Sequence, residues 1–263
     1  MHQHLSLAIK NGELSLHYQP QAMSRQTAAS SEVIGFEALA RWHHPLRGFV
    51  PPGEFIPLAE ESGLIVEMGE WILREACREA ASWPMPLQIA VNLSPAQFMH
   101  GDMVSLLHSI LLETGLTPGR LELEITEGVL IEDFDRGLAL LRRLKALGVR
   151  ISMDDFGSGY SSLSYLQAFP FDKIKVDRAF VMNLGRNPQS AAIVRAVIGL
   201  GHGLEMSIVA EGVETQEQLS FLSDEGCDAV QGYFIGRPQP IGQYAALVGR
   251  GGGNTVEPAR KTG

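Results

Sequence analysis

Short apolar runs with the two-residue period of β-strands alternate with longer segments of helical spacing through nearly the whole chain. Val149 and Ile151, for example, suit a buried strand, and they follow a segment that places Leu138, Leu141 and Leu144 on one helical face. In a chain of 263 residues this alternation predicts a single α/β domain. A (β/α)8 barrel is the favoured architecture, and a doubly wound open sheet is the main alternative.

Polar residues favour the barrel, because each of them lies in or at the end of a different predicted strand. These residues are Glu37, Asn92, Glu124, Asp154, Lys175, Glu211 and Gln231. In a barrel the carboxyl ends of the strands surround a single mouth, and catalytic groups come from several of them. We therefore expect these side chains to meet at one end of the molecule.

The adjacent acids Asp154 and Asp155 follow a predicted strand and precede Gly157 and Gly159. Adjacent residues on an extended chain point to opposite sides, so both carboxylates reach one site only if the chain bends between them. The two glycines permit such a bend. Two carboxylates held this close require a proton or a divalent cation to relieve their repulsion. Taken alone, the same string is also typical of an Asx turn.

If the strand ends share one mouth, an all-oxygen metal site results. Its predicted ligands are Glu37, Asn92, Glu124, Asp154 and Asp155. Oxygen ligands without Cys or His favour Mg²⁺, Mn²⁺ or Ca²⁺. Two cations about 3.5 to 4 Å apart, bridged by Asp154, would suit the hydrolysis of a phosphodiester.

Three further residues have plausible chemical roles near such a site. Lys175 can orient a water molecule or bind phosphate, Glu211 can act as a base or a metal ligand, and Arg41 can bind a phosphate oxygen. Each candidate also has a structural explanation. Lys175 and Arg41 can pair with neighbouring acids, and Asn92 can cap a helix that begins near Pro95.

Two other polar patterns have ordinary explanations. Glu122 and Glu124 share one face of a predicted strand, and alternating acids of this kind usually face solvent. His43 and His44 precede Pro45 and are expected in an exposed turn.

Composition narrows the class of partner and the compartment. The net charge of -9 argues against binding of a DNA or RNA polymer, so an anionic substrate would be met by cations and a few basic residues. Cys77 and Cys227 lie far apart in apolar surroundings, which indicates buried thiols rather than a disulfide framework. No apolar run approaches the ~20 residues that cross a bilayer. We expect a cytoplasmic domain without membrane contact, within a parent protein that could be membrane-anchored.

Several ordered motifs resemble the EAL domain family, whose members are bacterial phosphodiesterases that cleave cyclic di-GMP to the linear dinucleotide pGpG. The motifs are Tyr18-Gln19-Pro20, Glu37-Ala38-Leu39-Ala40-Arg41, Val91-Asn92-Leu93-Ser94, Glu124-Ile125-Thr126-Glu127, Asp154-Asp155-Phe156-Gly157-Ser158-Gly159-Tyr160, Lys175-Val176-Asp177, Glu211-Gly212-Val213-Glu214 and Gln231-Gly232-Tyr233. The resemblance covers roughly Leu14 to Val248. It implies a TIM-like barrel whose first strand is antiparallel to the others.

The resemblance also implies a role for each matched residue. The first metal ligands would be Glu37, Asn92, Glu124 and Asp154, and the second metal would be held by Asp154 and Asp155. Lys175 and Glu211 would position and activate the attacking water, with Glu211 as the general base. The substrate contacts would be Gln19, Leu39, Arg41, Asp177 and Gln231. Glu127 matches a glutamate that stabilises the loop after Asp155, a loop that in the family links the active site to dimerisation.

The resemblance further implies two Mg²⁺ or Mn²⁺ ions per active site, inhibition by Ca²⁺, a homodimer, and a GGDEF or sensor domain in a longer parent protein. Residues 1–248 would form the phosphodiesterase domain, and residues 249–263, rich in Gly and charged residues, a disordered tail. Two alternatives to a cyclic di-GMP phosphodiesterase remain open. One is a catalytically silent receptor for cyclic di-GMP, and the other is an unrelated barrel hydrolase that acts on another phosphodiester.

Overall fold

The computed structural model describes residues 2–25, 32–99, 102–126, 133–157 and 163–251. The strands in these segments are β1 (Leu14–Met23), β2 (Val33–His44), β3 (Gly48–Val50), β4 (Gln88–Leu93), β5 (Leu121–Thr126), β6 (Arg150–Phe156), β7 (Lys173–Val176), β8 (Ser207–Ala210) and β9 (Ala229–Gln231). The helices are α1 (His2–Asn11), α2 (Pro52–Glu61), α3 (Ile65–Ala81), α4 (Pro95–Met99), α5 (Met103–Thr114), α6 (Phe134–Ala146), α7 (Leu163–Ala168), α8 (Arg178–Met182), α9 (Pro188–Gly203) and α10 (Gln216–Asp224).

The sheet closes on itself. Strands β2, β4, β5, β6, β7, β8 and β9 are parallel neighbours in that order, and β1 pairs antiparallel with both β2 and β9. The short β3 extends β2 as a hairpin outside the closed ring. The prediction of a TIM-like barrel with an antiparallel first strand is confirmed, and the open-sheet alternative is wrong.

The apolar core lies between the outside of the barrel and the surrounding helices. Outward-facing strand residues such as Phe36, Ile89, Leu123 and Ile174 are fully buried there, with helical residues such as Leu73. Burial of this apolar surface is the main favourable contribution to folding. The other face of each strand points into the barrel, where several strands carry charged residues instead.

Two aspartates connect neighbouring strands at the end of the barrel where the parallel strands begin. Asp172 Oδ2 accepts a hydrogen bond from the backbone N–H of Ile151 at 2.8 Å, and Lys145 donates to the same carboxylate. Asp228 Oδ2 accepts in the same way from the backbone N–H of Ile208 at 2.8 Å. These contacts fix the starts of β6 and β8 and thereby the register of the residues at their other ends.

Some local predictions differ from the structure. His43 and His44 end β2 rather than forming a turn, and His44 is buried with its Nδ1 accepting from the backbone N–H of Leu46 at 3.0 Å. The predicted disordered tail falls mostly on residues 252–263, which lie outside the described residues. Within the described segments, no helix combines the length and the apolar character needed to cross a bilayer.

Candidate metal and catalytic site

The polar side chains predicted to meet at one mouth do so. Hydrogen bonds and ion pairs inside the barrel connect Glu37, Asn92, Glu124, Asp154, Lys175, Glu211 and Gln231. Each comes from a different strand or from the residue that follows it. Strand register contributes directly, because Asn92 on β4 lies beside Glu124 on β5.

Glu37 is buried and is held by two amides. Asn92 Nδ2 donates to its Oε1 at 2.6 Å, and Gln231 Nε2 donates to its Oε2. Burial raises the pKa of Glu37, but the charge of Lys175 and the two amide hydrogen bonds lower it by more. Its pKa therefore lies below the ordinary value. Glu37 is therefore a fixed carboxylate. Asn92 does not serve as a helix cap in this arrangement.

Lys175 is fully buried at the centre of the cluster. Its Nζ lies 2.6 Å from Glu211 Oε1, 2.8 Å from Glu124 Oε2, 3.2 Å from Asp154 Oδ1 and 3.8 Å from Glu37 Oε2. Burial lowers the pKa of Lys175, but the surrounding carboxylates raise it more, so the ammonium stays charged. One cation among four carboxylates leaves an excess of negative charge that further cations would offset.

Glu124 has the least compensated carboxylate of the site. Both of its oxygens are buried, and neither accepts a well-aligned hydrogen bond from the residues described, although Lys175 Nζ is 2.8 Å from Oε2. Burial raises the pKa of Glu124 well above the ordinary value, and the neighbouring Glu37 raises it further. Buried oxygens without hydrogen-bond donors are costly unless another partner, such as a metal ion, completes them.

Asp154, Asp155 and Glu211 form a compact group in which one oxygen of each carboxylate lies within 4.8 Å of the others. The predicted bend lies at Asp155 itself, whose φ is +54°, and Gly157 follows with φ +98°. Asp154 Oδ1 accepts from the backbone N–H of Asp155 at 3.0 Å, and the β6–β7 pairing is irregular between Met153 and Phe156. This irregularity lets both aspartates face the same mouth.

Glu211 follows β8 and is the candidate base. Burial raises its pKa, Lys175 lowers it, and Asp154 and Glu37 raise it, giving a pKa of about 7. A carboxylate with this pKa can accept a proton near neutral pH.

The donor atoms and charges of this cluster suit a divalent metal ion. All the predicted ligand atoms are oxygens, the Glu124 oxygens lack aligned donors, and the carboxylates outnumber the cations around them. Hard cations such as Mg²⁺ and Mn²⁺ prefer this donor set. The residues that would hold the metal are Glu37, Asn92, Glu124, Asp154 and Asp155.

A cavity of about 410 Å³ opens above these carboxylates. Its lining includes four of the five predicted substrate contacts, which are Gln19, Leu39, Arg41 and Gln231. Asp177 does not line it; its side chain caps α8 by accepting from the backbone N–H of Ala179 at 2.7 Å. Glu127 lies outside the described residues.

Glutamine side chains of β1 and β9 form a hydrogen-bonded network at the wall of the cavity, which Gln19 and Gln231 line. Gln231 Nε2 donates to Gln19 Oε1 at 3.2 Å, and Gln21 Nε2 donates to Gln231 Oε1 at 2.9 Å. Gln19 Nε2 in turn donates to the Gly236 carbonyl at 3.1 Å. This network fixes the orientation of the Gln231 amide that contacts Glu37.

Sequence reasoning missed a second buried ion pair below the site. Lys173 Nζ lies 2.7 Å from Glu122 Oε2, and both residues are almost fully buried. The usual solvent-facing explanation of alternating acids is therefore wrong for Glu122, because this face of β5 points into the barrel, where Glu124 lies at the predicted mouth. A signal was present, since Glu122 and Lys173 each precede a site residue by two positions on the same face. The cavity lining also includes Arg178, Glu214 and Tyr233, which the sequence reading did not select as site residues.

Comparison with known proteins identifies what the chain is similar to. A family model described as EAL domain matches residues 2–238. An uncharacterized signaling protein of Caulobacter vibrioides is 56% identical over 258 residues, which are 98% of this chain and 31% of the relative. The bifunctional diguanylate cyclase/cyclic di-GMP phosphodiesterase MucR of Pseudomonas aeruginosa is 46% identical over 248 residues, which are 93% of this chain and 36% of the relative.

A solved structure described as PaMucR phosphodiesterase in complex with c-di-GMP has the same fold. Its TM-score is 0.87 at 45% identity, and the match covers 92% of this chain and 98% of that one. The chain thus spans about a third of the length of the two curated relatives, but nearly all of the chain in this solved structure.

Proposed function

Because the chain belongs to the EAL domain family, we propose that it is a metal-dependent phosphodiesterase that hydrolyses cyclic di-GMP to linear pGpG. The observation that carries this proposal is the cluster around Lys175, where every predicted metal ligand except Asp155 is joined by a direct contact and Asp155 lies beside Asp154 and Glu211. The relative MucR, named as a cyclic di-GMP phosphodiesterase, supports the same substrate.

Two Mg²⁺ or Mn²⁺ ions held by Glu37, Asn92, Glu124, Asp154 and Asp155 would acidify the attacking water and offset the negative charge of the phosphate. We expect Ca²⁺ to inhibit, because it prefers more ligands and a looser geometry than Mg²⁺.

Glu211 is the proposed general base. It takes a proton from water as the water oxygen bonds to phosphorus. The P–O3′ bond breaks, and a solvent water molecule gives a proton to the leaving 3′-oxygen. Lys175 holds Glu211 at 2.6 Å and so fixes the carboxylate in the orientation needed for this transfer. Arg41 lines the cavity and offers a planar guanidinium for a phosphate oxygen. Gln19, Leu39 and Gln231 would shape the remaining substrate contacts, with Asp177 supporting them from α8.

The domain boundaries and partners are also part of the proposal. Residues 1–248 form the phosphodiesterase domain, which acts in the cytoplasm as a homodimer. We further propose, from the resemblance alone, that Glu127, which lies outside the described residues, has the family's loop-stabilising role. Since the chain spans about a third of its curated relatives, a GGDEF or sensor domain in a longer parent protein is proposed as the regulatory partner.

Product analysis tests the function directly. Purified protein incubated with cyclic di-GMP and Mg²⁺ or Mn²⁺ should release pGpG, and EDTA should stop the reaction. A Glu211→Gln variant should keep its fold, checked by circular dichroism, and lose about 10²- to 10⁴-fold in rate.

Other outcomes separate the alternatives. Tight binding of cyclic di-GMP without turnover in either metal would favour the silent receptor and refute the proposed phosphodiesterase activity. Cleavage of cyclic mononucleotides in preference to cyclic di-GMP would favour a barrel hydrolase with another substrate.

A further inference from the structure

The cavity contains few positively charged side chains, although the proposed substrate has two negatively charged phosphates. Its lining includes the arginines Arg41 and Arg178, and Lys175 lies below the lining, surrounded by carboxylates. Arg41 is half-buried and donates through Nη1 to the Ala40 carbonyl at 2.8 Å. Arg178 is exposed, and its side chain makes no ion pair or hydrogen bond with any residue of the described segments. Its guanidinium is therefore available to a ligand.

The backbone of Arg178 is nevertheless firmly placed. Asp177 caps α8 immediately before it, and Lys175 precedes it by three residues. Gly212, which follows Glu211, has φ +73°, and a Cβ at that position would lie 2.7 Å from the Arg178 Cβ. The Arg178 main chain thus packs directly against the residue next to the proposed base. The free guanidinium projects from a rigid point at the edge of the catalytic cluster.

Charge complementarity then suggests the ligand group. Cyclic di-GMP has two phosphodiesters, and only one of them can lie over the carboxylate cluster during cleavage. The other phosphate has a negative charge that the acidic residues of the lining, which include Glu211 and Glu214, would otherwise repel. A guanidinium forms strong bidentate hydrogen bonds with phosphate oxygens.

We propose that Arg178 binds the phosphodiester of cyclic di-GMP that is not cleaved. This inference rests on the proposed function. Arg178 is then a specificity-determining residue. It favours substrates that have a second phosphate over those with one, and it takes no part in the chemistry at the first.

Two substrates test this assignment in the metal-loaded protein. Cyclic di-GMP has both phosphates, whereas bis(p-nitrophenyl) phosphate has a single phosphodiester. Arg178→Gln should raise KM for cyclic di-GMP about tenfold with kcat nearly unchanged, and leave kcat/KM for bis(p-nitrophenyl) phosphate as in the unaltered protein. Arg178→Lys should raise KM for cyclic di-GMP less than Arg178→Gln does. Arg186→Gln is the matched control, because Arg186 is an exposed arginine in a neighbouring groove. It should leave KM and kcat unchanged for both substrates.

Equal losses on both substrates would overturn the proposal, since Arg178 would then act on the cleaved phosphate or on the metal site. An unchanged KM for cyclic di-GMP would also overturn it. Equilibrium binding of cyclic di-GMP gives the same test if the unaltered protein shows no turnover. A tenfold loss of affinity in Arg178→Gln would support the role of Arg178 while refuting the enzyme, and equal affinities would overturn the role of Arg178.

Discussion

At the scale of single residues, the barrel interior is governed by charge rather than by apolar packing. Lys175 neutralises only part of the charge of Glu37, Glu124, Asp154 and Glu211, and burial keeps water from screening the remainder. The metal-free protein therefore contains electrostatic repulsion that bound cations would relieve. This repulsion has consequences for stability that can be measured without substrate.

The pH dependence of stability should show the cost of burying the Glu211 carboxylate next to Asp154 and Glu37. Its pKa is about 7 in the folded protein against an ordinary value of 4.5, so the folded state binds the extra proton between these values and stability falls as pH rises from 4.5 to 7. In EDTA, Glu211→Gln should be more stable than the unaltered protein at pH 8 by up to about 3 kcal/mol. The difference should disappear near pH 4.5.

Urea unfolding at several pH values measures this difference. Glu214→Gln is the control, because Glu214 is an exposed glutamate that lines the same cavity, and it should give no comparable change. A Glu211→Gln variant less stable than the unaltered protein at pH 8 would show that the carboxylate is stabilised by Lys175 more than burial disfavours it.

The buried pair of Lys173 and Glu122 should respond differently to single and double substitution. Lys173→Met leaves Glu122 buried without its partner at 2.7 Å and should lower the free energy of unfolding by about 3 to 5 kcal/mol. The double variant Lys173→Met/Glu122→Leu should recover most of that loss, because no unpaired charge remains. Thermal and denaturant unfolding provide the measurement. A double variant at least as unstable as the single one would contradict the reasoning.

At the scale of strands and loops, the ends of the parallel strands determine where the chemistry lies. The sequence predicts the polar residues of these ends because each interrupts an apolar run. It does not predict that the bend at Asp154-Asp155 lies at Asp155, since a positive φ is uncommon outside glycine even though aspartate adopts it more readily than most residues, and the nearby Gly157 favours it more strongly. It also does not place Glu122 inside the barrel, because alternating acids look the same whether they face solvent or a polar barrel interior.

The end of β9 offers a test of how tightly a strand end is fixed. Gly232 follows Gln231, and a Cβ at Gly232 would lie 2.1 Å from the Val213 carbonyl oxygen, so the backbone must move to accept a side chain. Gly232→Ala should destabilise the protein by more than about 3 kcal/mol and reduce activity by displacing the Gln231 amide.

The control is Gly199→Ala in α9, where a Cβ meets nothing within 4 Å. An alanine there should leave activity unchanged and stabilise the helix by roughly 0.5 to 1 kcal/mol. If Gly232→Ala proved as stable and as active as Gly199→Ala, the close packing of Gly232 against Val213 would be unimportant.

At the scale of the whole molecule, closure of the barrel brings residues from Gln19 to Gln231 into one site. The alternation of strands and helices predicts the barrel, but strand patterns do not encode direction, so the antiparallel β1 follows only from the resemblance to the family. That reversal matters, because β1 lies between β2 and β9 and places Gln19 next to both Glu37 and Gln231. Long-range pairing of this kind cannot be derived from local sequence.

Titration of Mn²⁺ into EDTA-stripped protein by calorimetry measures most directly whether the carboxylates around Lys175 form a metal site. The unaltered protein should bind two Mn²⁺ per chain. Binding should weaken by at least about tenfold in Glu124→Gln and in Glu37→Gln, but stay the same in Glu214→Gln. Folded protein that binds no Mn²⁺, or binds it equally well after both Glu37 and Glu124 are replaced by glutamine, would contradict the account.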